Sequence, residues 1–146
     1  MASKMAKGVG AEKLVSFDIL ERGFATLSPD DPLSVFDLQV GNLRIQVKRG
    51  ENNGTNIKAD LRRPSAKIRR YTAEEVDIFA VVDPVSRRVA YLHMTELVYG
   101  RRLTLFLTRE HTRAGLPASY RAQYFEDYTD FRRVVAVAQS MQHAAA

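Results

Sequence analysis

From residue 36 to residue 48, apolar and polar side chains alternate on either side of Gly41-Asn42. Phe36, Leu38 and Val40 precede that pair, and Leu43, Ile45 and Val47 follow it. Two period-two runs joined by a two-residue Gly-Asn segment predict a β-hairpin over about 34–49. With Gly41 and Asn42 as its loop, Val40 pairs with Leu43, Leu38 with Ile45 and Phe36 with Val47, so one face is wholly apolar. The other face pairs Gln39 with Arg44 and Asp37 with Gln46. Lys48, two residues beyond Gln46, points the same way. Directly opposed side chains sit about 5 Å apart at Cβ.

Upstream, Leu14, Val15, Phe17, Ile19 and Leu20 supply the buried side of a helix from about Ala11 to Arg22. Gly8 and Gly10 make a flexible entry, and Gly23 sits where a helix C′ glycine belongs. Phe24 to Leu27 predicts a short strand and Ser28-Pro29-Asp30-Asp31-Pro32 a turn. After the hairpin, Gly50 to Gly54 is a polar loop and Thr55 to Leu61 a third antiparallel strand. Val76 to Val82 has the composition of a central strand buried on both faces. Asp83-Pro84 turns the chain, and strands follow over Arg88 to His93 and Arg102 to Thr108. Pro117 to about Ser140 predicts a long helix whose core stripe is Tyr120, Tyr124, Tyr128, Phe131, Val135 and Ala138. The order of elements predicts an α/β (α+β) fold, a mixed β-sheet flanked by helices. All 146 residues form one domain, with 1–9 and 141–146 as flexible ends, and no repeat or linker divides it.

Composition narrows the chemistry. A hydrophobic content of 45% and a charged content of 27% suit a soluble domain. The net charge of +5 favours an anionic partner. The absence of cysteine excludes disulfides, thiolate zinc sites and thiol nucleophiles. His93, His111 and His143 lack metal-ligand spacing, and no Gly-rich phosphate loop is present. No apolar run approaches the roughly 20 residues of a transmembrane helix. The start, MASKMAKGVG, lacks a signal peptide's apolar core. A cytoplasmic protein is compatible with all of this.

The polar face of the hairpin carries the chemistry. It gathers the Asp37 carboxylate, the Gln46 carboxamide oxygen and the Lys48 ammonium, with the Val47 carbonyl between the last two. Phosphodiester hydrolysis needs neutralisation of the phosphate charge, a nucleophilic water and a stabilised leaving oxygen. Mg²⁺ serves these needs and prefers oxygen ligands, which Asp37, Gln46 and the Val47 carbonyl offer. Lys48 is placed to bond the attacking water and offset developing negative charge.

Phe36-Asp37, eight residues, then Gln46-Val47-Lys48 resembles the PD-(D/E)XK nuclease superfamily, whose motif is an acid on one strand and acid-any-lysine on the next. Members often add a glutamate on the preceding helix, and Gly10-Ala11-Glu12 matches that position. The resemblance thus implies that Glu12 is a metal ligand beside Asp37 and Gln46. Phe36 stands for the usual proline, and Gln46 for the usual acid, which removes one negative charge. The glutamine is similar to that of the small homing endonucleases associated with group I introns. Asp37-Leu38, Gln46-Val47-Lys48, Val76-Asp77-Ile78-Phe79 and Tyr71 all fit that subgroup, over residues 8 to about 95. Archaeal and phage Holliday junction resolvases share the layout. The resemblance implies a restriction-endonuclease-like core and a Mg²⁺-dependent DNA endonuclease, with Mn²⁺ as a substitute. It also implies a homodimer or higher oligomer working in a prokaryotic or phage-infected cytoplasm.

Residues 44–70 carry Arg44, Lys48, Arg49, Lys58, Arg62, Arg63, Lys67, Arg69 and Arg70 against only Glu51 and Asp60. Apart from Lys48, the eight cations are candidate phosphate contacts. Asn52, Asn53 and Asn56 read as turn residues, as do Asp30 and Asp31. Asp77 either faces the site or forms a salt bridge, and Arg101-Arg102 is a second phosphate contact or a surface pair. Besides an active endonuclease, the pattern admits a nuclease-fold protein that only holds DNA, and a basic protein that binds no nucleic acid.

Overall fold

A computed structural model describes residues 4–31, 33–63, 69–98, 102–111, 116–117 and 119–145. The hairpin forms in the predicted register next to its turn: strand β1 (Leu38–Val40) pairs antiparallel with β2 (Leu43–Arg49), with Leu38 opposite Ile45, Gln39 opposite Arg44 and Val40 opposite Leu43. The expected pairs Asp37–Gln46 and Phe36–Val47 are not part of the ladder, because the Val47 N–H goes to the Asp37 side chain instead. Gly41 turns the chain at φ +56°, a conformation glycine adopts without steric penalty.

The other edge of β2 runs parallel to β7 (Ile78–Val82), from Ile45 beside Ile78 to Arg49 beside Val82. Strand β8 (Val89–His93) pairs antiparallel with β7 and completes a sheet of order β1-β2-β7-β8. Between these in the chain come β3 (Glu51–Asn52), β4 (Asn56–Asp60), β5 (Arg62–Arg63) and β6 (Arg69–Arg70). After β8 come β9 (Arg102–Phe106) and β10 (Gln123–Tyr124). A second mixed sheet has the order β10-β9-β4-β3, and β5 and β6 form a two-stranded ribbon. With helices α1 (Lys4–Glu21) and α2 (Phe131–Ala145), the fold is α+β.

The segment 55–61 forms the expected antiparallel strand, β4, which pairs with β3 and β9 in the second sheet. Gly50 marks the crossing from the first sheet to the second. Its N–H donates to the Val82 carbonyl at 2.8 Å, which holds the end of β2 against β7. A Cβ at this position would lie 2.4 Å from Ile57 Cγ2 and 3.2 Å from the Val82 carbonyl oxygen. Glycine alone lets β2 continue into β3 where the two sheets converge.

Alternation along the central strands then divides the core in two. Ile45, Val47, Ile78, Ala80, Val82, Val89 and Tyr91 pack with Ala11, Val15 and Ile19 of α1 and Phe131 and Val134 of α2. Phe79, Val81, Ala90 and Leu92 pack with Ile57, Ala59, Leu103 and Leu105 of the second sheet. Every residue of β7 is buried, as its apolar run predicts. The Tyr91 hydroxyl donates to Asp18 at 2.6 Å and ties α1 to β8.

Three helical or strand expectations change. Helix α1 starts at Lys4, so Gly8 and Gly10 lie inside it. Its buried stripe is Ala11, Val15 and Ile19, while Phe17 and Leu20 are 62% and 61% exposed. At 3.6 residues per turn, those two project nearly opposite to the stripe. Gly23 does end the helix as a C′ residue: its N–H bonds the Leu20 carbonyl and the Phe24 N–H bonds that of Ile19. Phe24 to Leu27 yields a single bridge, Leu27 to Gln39. The long C-terminal helix is the largest change. Gln123–Tyr124 pairs parallel with β9, Phe125–Tyr128 is a 3-10 turn, and α2 begins only at Phe131. Asp130 stops the helix from reaching further back, because its carboxylate accepts the Arg132 N–H at 3.0 Å. Tyr124 and Tyr128 therefore precede the helix, whereas Phe131, Val134 and Ala138 form its buried side. No described helix is long and apolar enough to cross a membrane.

Gly50→Ala is expected to lower the unfolding free energy by about 1–3 kcal/mol through overpacking against Ile57, measured by urea denaturation. An alanine variant as stable as wild type would show that this crossing has room to spare.

Candidate active site

Asp37 sits one residue ahead of β1. Its N–H donates to the Ile45 carbonyl at 2.8 Å, and its Oδ2 accepts the Val47 N–H at 2.8 Å. The side chain thus substitutes for a backbone carbonyl where the ladder ends. Glu12 reaches the same point from α1, and its carboxyl lies within hydrogen-bonding reach of Asp37. Burial first, then the charge of Asp37, pushes the Glu12 carboxyl above its usual range. Burial also raises Asp37, against the lowering effects of the Val47 N–H and of Lys48.

Gln46 and Lys48 alternate with the core residues Ile45 and Val47 and so project toward the second sheet. Gln46 is 9% exposed. Its Nε2 donates to the Val47 carbonyl at 3.4 Å, and its Oε1 is buried without a hydrogen-bond partner. An orphaned buried acceptor is costly. Two crowded carboxyls and one orphaned amide oxygen fit a hard divalent cation, which takes oxygen ligands. Among the described residues no three His, Cys, Asp or Glu side chains cluster for a metal. The Val47 carbonyl is already engaged by the Gln46 amide, which makes it the weakest of the four expected ligands.

Lys48 Nζ donates to the Tyr71 hydroxyl at 3.0 Å. Burial lowers its pKa, and the charges of Asp37 and Asp60 oppose that shift. Tyr71 and Asp60 are the neighbours missing from the predicted site. Tyr71 lies 23 residues from Lys48 in sequence and meets it only because the chain returns after β6. It is buried and packs edge-on against Phe79 at 5.5 Å.

The expected phosphate contacts divide into groups. Arg44 turns to Asp77, with Nε–Oδ2 at 3.0 Å, and also donates to the carbonyls of Ala73 and Glu74. This identifies Asp77 as a salt-bridge residue. Arg62 holds Asp60 through Nε at 3.0 Å and Nη2 at 2.8 Å, and its hydrogen bonds lower the Asp60 carboxyl to about 2. Arg44 thereby ties β2 to the segment ahead of β7, while the Arg62–Asp60 pair is local and exposed. Arg49 and Lys58 are exposed. Arg63, Arg69 and Arg70 lie in the ribbon, Arg62 opposite Arg70 and Arg63 opposite Arg69, and their side chains are outside the described residues, as is all of Lys67. Arg101 is outside them as well. Asn52 and Asn53 are turn residues, their side-chain oxygens accepting the N–H groups of Gly54 and Thr55. Asp31 likewise accepts the Leu33 N–H. His93 caps a 3-10 turn by accepting the Thr95 N–H at 3.2 Å.

Among solved structures, one comparison covers nearly the whole molecule. The chain shares its fold with the bacterial homing endonuclease I-Ssp6803I. The TM-score is 0.71 at 19% sequence identity, over 97% of this chain and 99% of that one. No protein-family model and no curated protein sequence matches the chain. The likeness to I-Ssp6803I is one of fold.

The crowding of Glu12 and Asp37 has a measurable consequence. A carboxyl whose pKa is raised by folding contributes stability at low pH, and that contribution is lost as pH rises through the raised value. Glu12→Gln removes the repulsion, so it is expected to be more stable than wild type at pH 7. The gain stays under about 1 kcal/mol because solvent screens this half-open pair. It fades as pH falls toward about 4, the ordinary carboxylate range. Urea unfolding at both pH values measures it, and a pH-independent difference would contradict the proposed repulsion.

Proposed function

We propose that this protein is a metal-dependent DNA endonuclease of the PD-(D/E)XK type that hydrolyses phosphodiester bonds in duplex DNA. The observation that carries this reading is the set of groups at the hairpin edge: Glu12 beside Asp37, the orphaned Gln46 Oε1, and Lys48 one strand step further on. The fold shared with a homing endonuclease supports a specific duplex over a branched junction.

Glu12, Asp37 and Gln46 would hold the metal. A bound Mg²⁺ would supply charge neutralisation at the phosphate and a more acidic water. The protein's own groups do the rest. The Val47 N–H fixes the Asp37 carboxylate beside the strand that carries Gln46, whose Oε1 is left without a partner. Lys48 gives one N–H to Tyr71, which leaves two for the attacking water and a phosphate oxygen. Its ammonium meets the charge that grows as water adds to phosphorus and the ester P–O bond breaks. The products are a phosphate monoester end and a hydroxyl end. Burial of Lys48 strengthens this electrostatic contribution. Arg49 and Lys58, both exposed, supply basic groups for the DNA backbone. Cutting both strands requires two sites, so a homodimer or higher oligomer is the working form, acting in a prokaryotic or phage-infected cytoplasm.

Cleavage of duplex and four-way-junction DNA with Mg²⁺, Mn²⁺ or EDTA tests this reading. Products are expected only with a divalent ion. Lys48→Ala is expected to slow cleavage by on the order of 10²–10³-fold. Asp37→Asn keeps an acceptor for the Val47 N–H and should lose activity while staying folded. Salt-sensitive DNA binding with no products under any ion would instead identify a protein that only holds DNA.

A further inference from the structure

We infer that the cavity between α1 and the β7–β8 turn receives a backbone phosphate of the DNA, gripped by Arg49 and Arg87. The inference rests on the endonuclease reading and adds a contact on the helix side of the first sheet. The cavity has a volume of about 250 Å³ and is lined by Gly10, Ala11 and Leu14 of α1, by Val82, and by the two arginines. No carboxylate lines it. Arg44, Arg62, Arg88, Arg132 and Arg133 each hold an acidic partner. Among the described residues, the side chains of Arg49 and Arg87 have no such partner, and both are exposed. Two unneutralised guanidinium groups on one small cavity call for an anion with several oxygens, and a phosphate suits their fork geometry.

Arg87 is held there against its backbone preference. It is the only non-glycine described residue at positive φ, +62°. The turn is locked by the Arg87 N–H on the Asp83 carbonyl at 2.8 Å and the Asp83 N–H on the Arg88 carbonyl at 2.9 Å. Asp83 stiffens it further by accepting from Ser86 Oγ at 2.6 Å and Asn52 Nδ2 at 3.0 Å. Glycine or asparagine is the cheaper occupant of such a position. An arginine kept at a strained turn position, with no contact that the fold needs, points to a ligand.

The location fits DNA. Arg49 ends the strand that carries Gln46 and Lys48, and Ala11 precedes Glu12. Arg49 directly follows Lys48 in β2, so a DNA phosphate in the cavity lies one residue along that strand from the proposed site, on its helix-facing side.

Arg87→Gly separates this role from a structural one, because glycine relieves the strain. Its unfolding midpoint should equal or exceed that of wild type. Its affinity for duplex DNA, measured from about 50 to 200 mM salt, should fall, with a log–log salt slope shallower by about one. Arg49→Gln should show the same loss, and Arg87→Lys should keep the slope. If wild type binds DNA and the Arg87→Gly slope is unchanged, the cavity assignment fails and the endonuclease reading stands. If wild type shows no salt-dependent DNA binding, both fail. Inorganic phosphate that stabilises wild type but not Arg87→Gly, without any change in DNA binding, would overturn the backbone assignment in favour of a free-phosphate site.

Discussion

The hydrogen bond from the Val47 N–H to Asp37 Oδ2 is the constraint on which the site depends. An unpaired N–H on a buried strand costs about 1–3 kcal/mol, so the carboxylate is bound to that position by the fold itself. The same bond sets where the Asp37 carboxylate lies relative to the next three residues of β2. Because side chains alternate, placing Asp37 against Val47 also places Gln46 and Lys48 on its flanks. The carboxylate is thereby both a structural acceptor and the anionic centre of the site. Its raised pKa reflects that double use: burial opposes its charge more than one N–H and one ammonium favour it.

The distribution of the other charges shows why this centre stands apart. Asp60 and Asp77 are each matched to an arginine by side-chain hydrogen bonds. Glu126, Asp130 and Glu96 are matched in the same way. Glu12 and Asp37 face one another instead, with Lys48 the one cation acting on Asp37 among the described residues. Among the described acids, the pair that the fold presses together without an arginine is the pair at the hairpin edge. An arrangement of that kind is poor for stability and useful for binding a positive charge.

The Gly50 crossing organises the surroundings. By passing the end of β2 directly into a second sheet, it stacks β4 over the face that carries Gln46 and Lys48. That stacking removes water from Lys48 and lowers its pKa, and it brings Asp60 and Tyr71 within range. On the opposite face, α1 delivers Glu12. The site is therefore a seam where three layers meet, and its electrostatics follow from how closely they approach.

The hairpin and its register from the turn out to Leu38–Ile45 were legible in the sequence because they depend on local geometry: a two-residue turn and a period of two. The central strand β7 was legible for a related reason, its unbroken apolar run. Glu12 was reachable only through resemblance, since nothing in an amphipathic helix says which sheet edge it will meet. The C-terminal helix was overextended because aromatic spacing near Tyr124 suits a helix as well as a strand and a 3-10 turn, and pairing with β9 decided between them. A charge count does not show that Arg44 and Arg62 lie beside Asp77 and Asp60. Tyr71 at Lys48, the second sheet and the strained Arg87 all arise from long-range closure. Local periodicity determined the strands and the chemistry they carry; tertiary contact alone decided which charges are neutralised and which remain to act.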